Sequence, residues 1–241
     1  MPMSDSLKGK IAVITGGSRG IGFAVAQVFT SHGCQVVITA RDAAALNSAA
    51  AKLGGAEAGV SAVPCDVTDA AQVEKLFAAV KKQHSRVDVL INNAGIAHAL
   101  APVEELAIET WKRVIEANLN GPFLCARAAL PLMSAGGTIV NNLSVAAIRP
   151  FAGMSAYNAS KTGALGFTNV LREELRKRGI RVLALIVGAT DTTIWDQFWP
   201  EAPREKMVSP TTIAEAVLQA VTVPANTTIE EIRLGPTGGA L

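Results

Sequence analysis

Short runs of apolar and β-branched residues alternate along this chain with longer segments in which apolar residues recur at helical spacing. The runs predicted as strands are Ile11–Thr15, Val36–Thr39, Val60–Val63, Val87–Ile91, Thr138–Asn142, Arg181–Val187 and Ile229–Leu234. The predicted helices are Ile21–Ser31, Ala43–Leu53, Ala70–His84, Trp111–Met133, Ala156–Arg178 and Thr211–Val221. Nearly continuous apolar strands that alternate with helices are typical of parallel strands buried on both faces. The pattern predicts a doubly wound α/β fold, with a mainly parallel seven-stranded sheet between two layers of helices.

No linker, charge block or repeat interrupts this alternation, so we expect the 241 residues to form a single domain. The least regular stretch, residues 188–209, contains three aromatic residues within five positions, Trp195, Phe198 and Trp199. We expect a short substrate lid at about residues 189–209. Its aromatic side chains are expected either to form an apolar wall over a substrate or to pack on the body or a neighbouring subunit.

Composition narrows the class of protein. Only 17% of the residues are charged and 49% are hydrophobic, which excludes a disordered chain. The formal net charge is +2, so no strong overall field attracts nucleic acid, and no apolar run approaches the length of a membrane span. Cys34, Cys65 and Cys125 form no CxxC pair, so we expect buried, reduced thiols and no metal site. The expectation is a cytoplasmic protein without a nucleic-acid or membrane partner.

A glycine-rich turn joins the first predicted strand to the first predicted helix. From Gly16 to Gly22 it has the spacing GxxxGxG. Glycine allows positive φ and a close approach of the backbone to a ligand, and a helix N-terminus offers free N–H groups to a phosphate. A nucleoside triphosphate loop would need Gly-Lys-Ser/Thr, but Phe23 follows Gly22. The turn therefore favours a dinucleotide phosphate.

Charged residues follow the second predicted strand, where the adenosine ribose of a dinucleotide would lie. An acidic residue there binds the ribose 2′-hydroxyl, whereas arginine favours a 2′-phosphate. Arg41 stands at this point, and Arg19 in the glycine loop supplies a second cation, so we expect NADP(H) rather than NAD(H). In the alternative interpretation both arginines face solvent and Asp42 caps the next helix.

Three polar residues form a candidate acid–base set. Tyr157, the only tyrosine, and Lys161 are four positions apart near the start of a predicted helix, which places them on one face. Ser144 follows a predicted strand, at the end where open α/β sheets bind ligands. A nearby ammonium group would lower the pKa of the phenol. We therefore expect Tyr157 to exchange a proton with a carbonyl or hydroxyl group while Ser144 hydrogen-bonds the same oxygen.

These residues resemble the pattern of the short-chain dehydrogenase/reductase family. Over residues 10–192 the family's motifs occur in order: the glycine loop, Asp66, Asn92-Asn-Ala-Gly95, Asn118, Ser144 and Tyr157-xxx-Lys161. The resemblance implies a Rossmann fold, hydride transfer with a nicotinamide cofactor, and Asn118, Ser144, Tyr157 and Lys161 as the catalytic residues. It also implies that Asp66 contacts adenine, that Asn92 lies along the cofactor, that Asn118 holds a water in a proton relay, and that Lys161 binds the nicotinamide ribose.

Some positions depart from the family's pattern or extend it. Ala40 stands where an NAD enzyme would have its acidic residue, and the turn after the sixth strand lacks the family's proline but keeps Gly188 and Thr192, the expected carboxamide contact. Asn93, Asn141 and Asn142 are interpreted as structural. The cofactor contacts expected from the motifs and the resemblance are Gly16, Ser18, Arg19, Gly20, Ile21, Gly22, Arg41, Asp66, Val67, Asn92, Ala94, Gly95, Tyr157, Lys161, Gly188 and Thr192.

The expected function is NADP(H)-dependent hydride transfer to or from a small ketone, aldehyde or secondary alcohol. The alternatives are a 3-oxoacyl-(acyl-carrier-protein) reductase, whose usual C-terminal turn is absent here, a non-catalytic NADP(H) sensor, and an NAD-dependent dehydrogenase. The resemblance also implies a homo-oligomer, a tetramer or a dimer, in which the helices predicted at Trp111–Met133 and Ala156–Arg178 pair between subunits.

Overall fold

The computed structural model describes residues 6–239 and contains a seven-stranded sheet in which all neighbouring strands are parallel. The strands are β1 (Ile11–Thr15), β2 (Gln35–Thr39), β3 (Val60–Ala62), β4 (Val89–Asn92), β5 (Thr138–Asn142), β6 (Arg181–Val187) and β7 (Glu231–Leu234), in the order β3-β2-β1-β4-β5-β6-β7. The order reverses between β1 and β4, and a doubly wound sheet opens a crevice at the carboxyl ends of such strands. The predicted fold class is confirmed.

Seven α-helices are found in the described part of the chain. They are α1 (Gly20–Ser31), α2 (Ala43–Lys52), α3 (Ala70–His84), α4 (Ile108–Ile115), α5 (Gly121–Ala129), α6 (Ser155–Arg176) and α7 (Pro210–Val221). Helices α1, α2 and α7 pack on one face of the sheet, and α3, α5 and α6 pack on the other. None of the helices among residues 6–239 combines the length and apolarity needed to cross a membrane.

Alternation of side chains along the strands builds two separate cores. Ile14 and Ile38 belong to the cluster under α1, α2 and α7, whereas their neighbours Val13 and Val37 belong to the opposite cluster, and all four are fully buried. Because successive residues of a strand point to opposite faces, a sheet with helices on both sides needs apolar residues at consecutive positions. This requirement explains the continuous apolar runs in the sequence.

The prediction of one uninterrupted helix over Trp111–Met133 is wrong. A π-helical turn, Glu116–Asn120, separates α4 from α5, and a 3₁₀ turn at Leu130–Leu132 follows α5. Pro122 lies in the first turn of α5, and because proline has no backbone N–H, it cannot continue the hydrogen-bond ladder of the preceding helix. The turn places Asn118 in the buried interior.

Candidate active site

A cleft of about 1000 Å³ lies along the carboxyl ends of the strands, and residues that follow β1 to β6 line it. Most of the expected site residues are found there: Gly16, Ser18, Arg19, Gly20, Ile21, Arg41, Asp66, Val67, Ala94, Gly95, Ser144, Tyr157, Lys161, Gly188 and Thr192. Gly22, Asn92 and Asn118 are not among the lining residues. The fold therefore brings the glycine loop and the candidate acid–base set to one cleft.

The glycine loop folds tightly between β1 and α1. Gly16 and Gly20 have φ values of +65° and +56°, in the left-handed region that favours glycine. A Cβ atom at Gly22 would lie 2.4 Å from the carbonyl oxygen of Gly16, which leaves no room for a side chain. No side chain caps the start of α1, and its first turn contains no acidic residue. The N-terminal N–H groups of α1 therefore remain available to an anion in the cleft.

Exposed charged residues line the end of the cleft beside β2. Oδ1 of Asp42 accepts hydrogen bonds from the backbone N–H groups of Ala44 and Ala45, so Asp42 caps α2, as the alternative interpretation expects. Arg19 and Arg41 are exposed and line the cleft, and neither guanidinium pairs with any residue that the structure describes. Capping by Asp42 and a cationic cleft therefore coexist.

Adjacent asparagines at the end of β4 have different surroundings. The side chain of Asn92 is 3% exposed and donates a hydrogen bond to Asn141 Oδ1 at 2.8 Å, beneath the cleft. Asn93 lines the cleft, where its Nδ2 donates to the carbonyl oxygens of Thr15 and Gly16. The two side chains point to opposite sides of the strand end, so that of Asn92 lies beneath the cleft, and its contact along the cofactor stays a prediction.

The candidate acid–base residues come from β5 and α6. Tyr157 and Lys161 lie in the first two turns of α6, and Ser144 stands directly after β5, where its Oγ accepts a hydrogen bond from the N–H of Ala146. Lys161 is only 7% exposed, and its Nζ donates to the carbonyl oxygen of Asn142 at 2.9 Å. Sequence reasoning did not identify Asn142 as a partner of this lysine, because the contact is made by the backbone and no side-chain pattern reports it.

Burial dominates the ionisation of this set. It raises the pKa of Tyr157, and a hydrogen bond with Ser144 offsets only part of that increase. It lowers the pKa of Lys161 to about 8. The net shift of the Tyr157 pKa is therefore upward, opposite to the shift expected from a nearby ammonium group, because burial of the phenol outweighs the effect of charge. The ammonium group of Lys161 lies 5.7 Å from the centre of the Tyr157 ring and donates to the carbonyl oxygen of Asn142. At neutral pH, Tyr157 is consequently a protonated hydrogen-bond donor.

Asn118 is a buried support rather than part of the cleft wall. Its side chain is 2% exposed, and its Oδ1 accepts from the N–H of Ile96, while its Nδ2 donates to the carbonyl oxygen of Ile96 and to Ser160 Oγ. A Cβ atom at Gly95 would lie 3.0 Å from Asn118 Oδ1 and 3.8 Å from Lys161 Nζ. Asn118 therefore fixes the backbone that forms the cleft wall beside Lys161. The role of Asn118 in a water-mediated proton relay stays a prediction.

The segment 188–209 closes one side of the cleft. A parallel bridge joins Thr190 to Val208, and the indole Nε1 of Trp195 donates to the carbonyl oxygen of Thr190 at 2.9 Å. The ring of Trp195 lies 4.9 Å from that of Phe198 and 6.1 Å from that of Trp199, measured between centroids, and all three rings line the cleft. The three aromatic residues therefore lie where an apolar wall over a substrate is expected, and the choice between this role and packing on a neighbouring subunit stays a prediction.

Comparison with known proteins agrees with this geometry. The family model described as short chain dehydrogenase matches residues 10–203. The chain belongs to the short-chain dehydrogenase family. This short-chain dehydrogenase is 37% identical to D-threitol dehydrogenase of Mycolicibacterium smegmatis over 200 residues, which cover 82% of this chain and 76% of the relative.

Solved structures of the family show the same fold. An alcohol dehydrogenase from Thermococcus sibiricus, complexed with 5-hydroxy-NADP, matches with a TM-score of 0.88 and 31% identity and covers 96% of this chain and 98% of its own. A 3-ketoacyl-(acyl-carrier-protein) reductase from Brucella melitensis, complexed with NADH, matches with a TM-score of 0.87 and 30% identity over 95% and 98% of the two chains. The solved structures similar to this chain thus include complexes with either kind of dinucleotide.

Proposed function

We propose that this short-chain dehydrogenase transfers hydride between NADP(H) and a small ketone, aldehyde or secondary alcohol. The observation that carries the proposal is the meeting of Ser144, Tyr157 and Lys161 in the same cleft as the glycine loop. A protein that only sensed the dinucleotide would need the loop but would not need a buried phenol and a buried ammonium group beside it.

The residues at the glycine-loop end of the cleft fit a dinucleotide. The left-handed Gly16 and Gly20 let the loop turn tightly, and the uncapped start of α1 leaves backbone N–H groups that suit a pyrophosphate. The unpaired cations Arg19 and Arg41 suit a 2′-phosphate, and this is the support for NADP(H) over NAD(H). When bound, the dinucleotide supplies or accepts the hydride at the carbonyl carbon.

Side chains of the protein transfer the proton and stabilise the charge that remains. In the direction of reduction, Tyr157 Oη gives its proton to the carbonyl oxygen, and Ser144 Oγ donates a hydrogen bond to the same atom, so that a ketone gains one hydride and one proton and becomes an alcohol. The charge of Lys161 stabilises the phenolate that remains. In the direction of oxidation the same groups act in reverse. The raised pKa of Tyr157 suits the donor role, since the phenol is protonated before reaction.

Substitution of Tyr157 by Phe tests the mechanism. The substitution removes one hydroxyl group and keeps the buried ring, so folding should be preserved while general-acid catalysis is lost. We expect kcat/KM for ketone-dependent NADPH oxidation to fall about 10²–10⁴-fold.

Lys82→Ala is the control, because Lys82 is exposed on α3, outside the cleft lining. It should leave the rate unchanged. Undiminished activity of Tyr157→Phe would show that the proposed proton donor is wrong. Tight NADPH binding by the wild type without turnover of any carbonyl compound or alcohol would instead support a sensor.

We further propose that the chain assembles as a homo-oligomer in a reducing, cytoplasmic setting. Apolar side chains are exposed on α4, α5 and α6, among them Trp111, Phe123 and Val170. The three cysteines are free and buried, and burial raises the pKa of each thiol, which keeps them unreactive.

A further inference from the structure

We propose that the preferred substrates are uncharged carbonyl compounds in which an aromatic ring or a similarly bulky apolar group flanks the carbonyl carbon. The inference rests on the proposed function and names the substrate class of the same cleft. It comes from the distribution of charge and of aromatic rings along the cleft, which differs sharply between its two ends.

All but one of the charged side chains that line the cleft, among the described residues, lie at the dinucleotide end. They are Arg19, Arg41, Asp42 and Asp66, and the exception is Lys161, whose ammonium group is bound by Asn142. The lining beyond Ser144 and Tyr157 contains no charged side chain within residues 6–239. Its walls are instead apolar and include Leu100, Val145, Phe151, Trp195, Phe198 and Trp199.

The segment 188–209 directs its own charges away from this apolar half. Arg204 forms ion pairs with Asp196 at 2.6 Å and with Asp191 at 3.4 Å. These three side chains do not line the cleft; they border a separate groove beside the start of α1 and α7. The segment therefore has an inner aromatic face and an outer face of paired charges.

Two of the polar groups on the inner face already have partners in the protein. The indole N–H of Trp195 is bound to Thr190, and the side-chain oxygen of Gln197 accepts from the N–H of Ala97 at 3.3 Å. Apart from the hydroxyl groups of Ser144 and Tyr157, which would hold the reacting oxygen, this half offers mainly apolar surface. Trp199 is 40% exposed and Leu100 is 58% exposed, and both line the cleft, so an apolar ligand bound against them would remove apolar surface from water.

The apolar half of the cleft disfavours substrates whose charged or hydroxyl groups it cannot stabilise. A carboxylate or phosphate group held between these walls would lose its water and have a single cation nearby, Lys161, whose buried ammonium group donates to the carbonyl oxygen of Asn142. A chain of hydroxyl groups would lose more hydrogen bonds to water than this mainly apolar half can replace. A flat ring, in contrast, can stack on the indole and phenyl rings. We therefore expect a substrate class different from the polyol named for the Mycolicibacterium relative.

Matched ketones test the inference with the wild-type enzyme and NADPH. Methyl 4-acetylbenzoate and 4-acetylbenzoate share the reacting group and ring, and only the second is charged. Butan-2-one tests the effect of a small apolar chain, and erythrulose tests the effect of a chain with several hydroxyl groups. We expect kcat/KM for the ester to exceed that for the acid at least 30-fold and that for butan-2-one or erythrulose at least 10-fold. Equal rates for the ester and the acid, or for the ester and butan-2-one, would overturn the proposed substrate class while leaving the reductase function in place.

Two substitutions test whether the aromatic side chains of Trp195, Phe198 and Trp199 cause this substrate preference. Trp199→Ala should lower kcat/KM for the ester about 10-fold and change that for butan-2-one less than twofold. Trp111→Ala is the matched control, because Trp111 is also 40% exposed but lies on α4, outside the cleft lining; the ester-to-butanone ratio should not change. An unchanged ratio in Trp199→Ala would contradict the assignment of the wall. Failure of the wild type to reduce any of the four ketones, although it binds NADPH, would overturn the proposed function itself.

Discussion

Arg41 and Asp42 are neighbours in sequence but have different roles in the structure. The carboxylate of Asp42 accepts hydrogen bonds at the start of α2 and forms no ion pair with the guanidinium group of Arg41. A hydrogen bond between charged partners contributes about 1.5–3 kcal/mol. We therefore expect Arg41→Ala to weaken NADPH binding about 10–100-fold and to leave NADH binding within twofold, as measured by fluorescence titration of each dinucleotide.

Arg113→Ala is the control for this comparison, since Arg113 is exposed on α4 and lies outside the cleft lining. It should change neither affinity. If the wild type binds NADH more tightly than NADPH and Arg41→Ala alters neither, the enzyme is an NAD-dependent dehydrogenase.

The pKa of Lys161 gives a second prediction at this scale. Burial lowers it to about 8, so the ammonium group that stabilises the phenolate is lost as the pH rises through that value. We expect kcat/KM for ketone reduction to be level near pH 7 and to fall above about pH 8. In Lys161→Arg, which keeps its charge, any remaining activity should show no such fall up to pH 10. A wild-type profile that stays level to pH 10 would rule out a requirement for the charged lysine.

The lowered pKa of Lys161 affects the free energy of unfolding in the opposite direction to kcat/KM. The pKa of Lys161 in the folded chain is below its ordinary value of about 10.4, so the unfolded chain binds more protons between about pH 8 and pH 10.4. Over this window the contribution of Lys161 to the free energy of unfolding increases with pH. Loss of activity above pH 8 would therefore not be explained by unfolding at this residue.

Spacing within one element could be read from the sequence, but contacts between elements could not. The four-residue offset of Tyr157 and Lys161 was enough to place both on one face of α6. For Asn92 and Asn93, a shift of one position at a strand end decides between the core and the cleft, and the deciding hydrogen bonds come from β5 and β1. Likewise, Ile96 and Ser160 determine the orientation of Asn118, and both are distant from it in sequence.

At the scale of elements, the sequence predicted the strands better than the irregular segments. Each observed strand overlaps its predicted run, because burial on both faces leaves a plain apolar signal. The π turn before α5 keeps a helical periodicity of apolar residues, so only Gly121 and Pro122 indicated a break. The fold of residues 188–209 depends on Arg204 and on the Thr190–Val208 bridge, and neither follows from local propensity.

Arg204 leads to a prediction for this segment. Its guanidinium group binds Asp191, Asp196 and the carbonyl oxygen of Thr192, and so ties both ends of the aromatic stretch together. We expect Arg204→Ala to loosen the segment, which should speed proteolytic cleavage between residues 190 and 207 and raise KM for ketones about 3–10-fold. The melting temperature should change little, because partly exposed ion pairs contribute about 0.2–1 kcal/mol each.

Arg176→Ala provides the matched control for the role of Arg204. Arg176 also forms two ion pairs, with Glu173 and Glu230, but it lies at the end of α6 outside the cleft lining. Its loss should affect neither proteolysis of residues 190–207 nor KM. A KM for Arg204→Ala equal to that of the wild type would show that the ion pairs do not hold the segment in its working position.

For the whole molecule, the low charged fraction of 17% agrees with a sheet covered on both faces and with helices that retain apolar outer surfaces. Ile108 and Trp111 on α4, Phe123 on α5 and Val170 on α6 are each at least 40% exposed. Phe123 also contacts Phe167 of α6 edge to face, so the exposed surfaces of α5 and α6 adjoin each other. Such a patch is costly in a monomer and suits pairing with a second copy of the chain.

This patch predicts that the wild type sediments as a dimer or tetramer at micromolar concentration. Phe123→Glu and Val170→Glu would each place a charge in the centre of the patch, where an interface of about 1,200–2,000 Å² would have to bury it. We expect both variants to shift toward monomer in sedimentation velocity. Ala51→Glu, an equivalent change at an exposed position of α2, should leave the assembly intact. A wild type that sediments only as monomer would show that these helices do not mediate assembly, and the exposed aromatic residues of α4 and α5 would then need another partner.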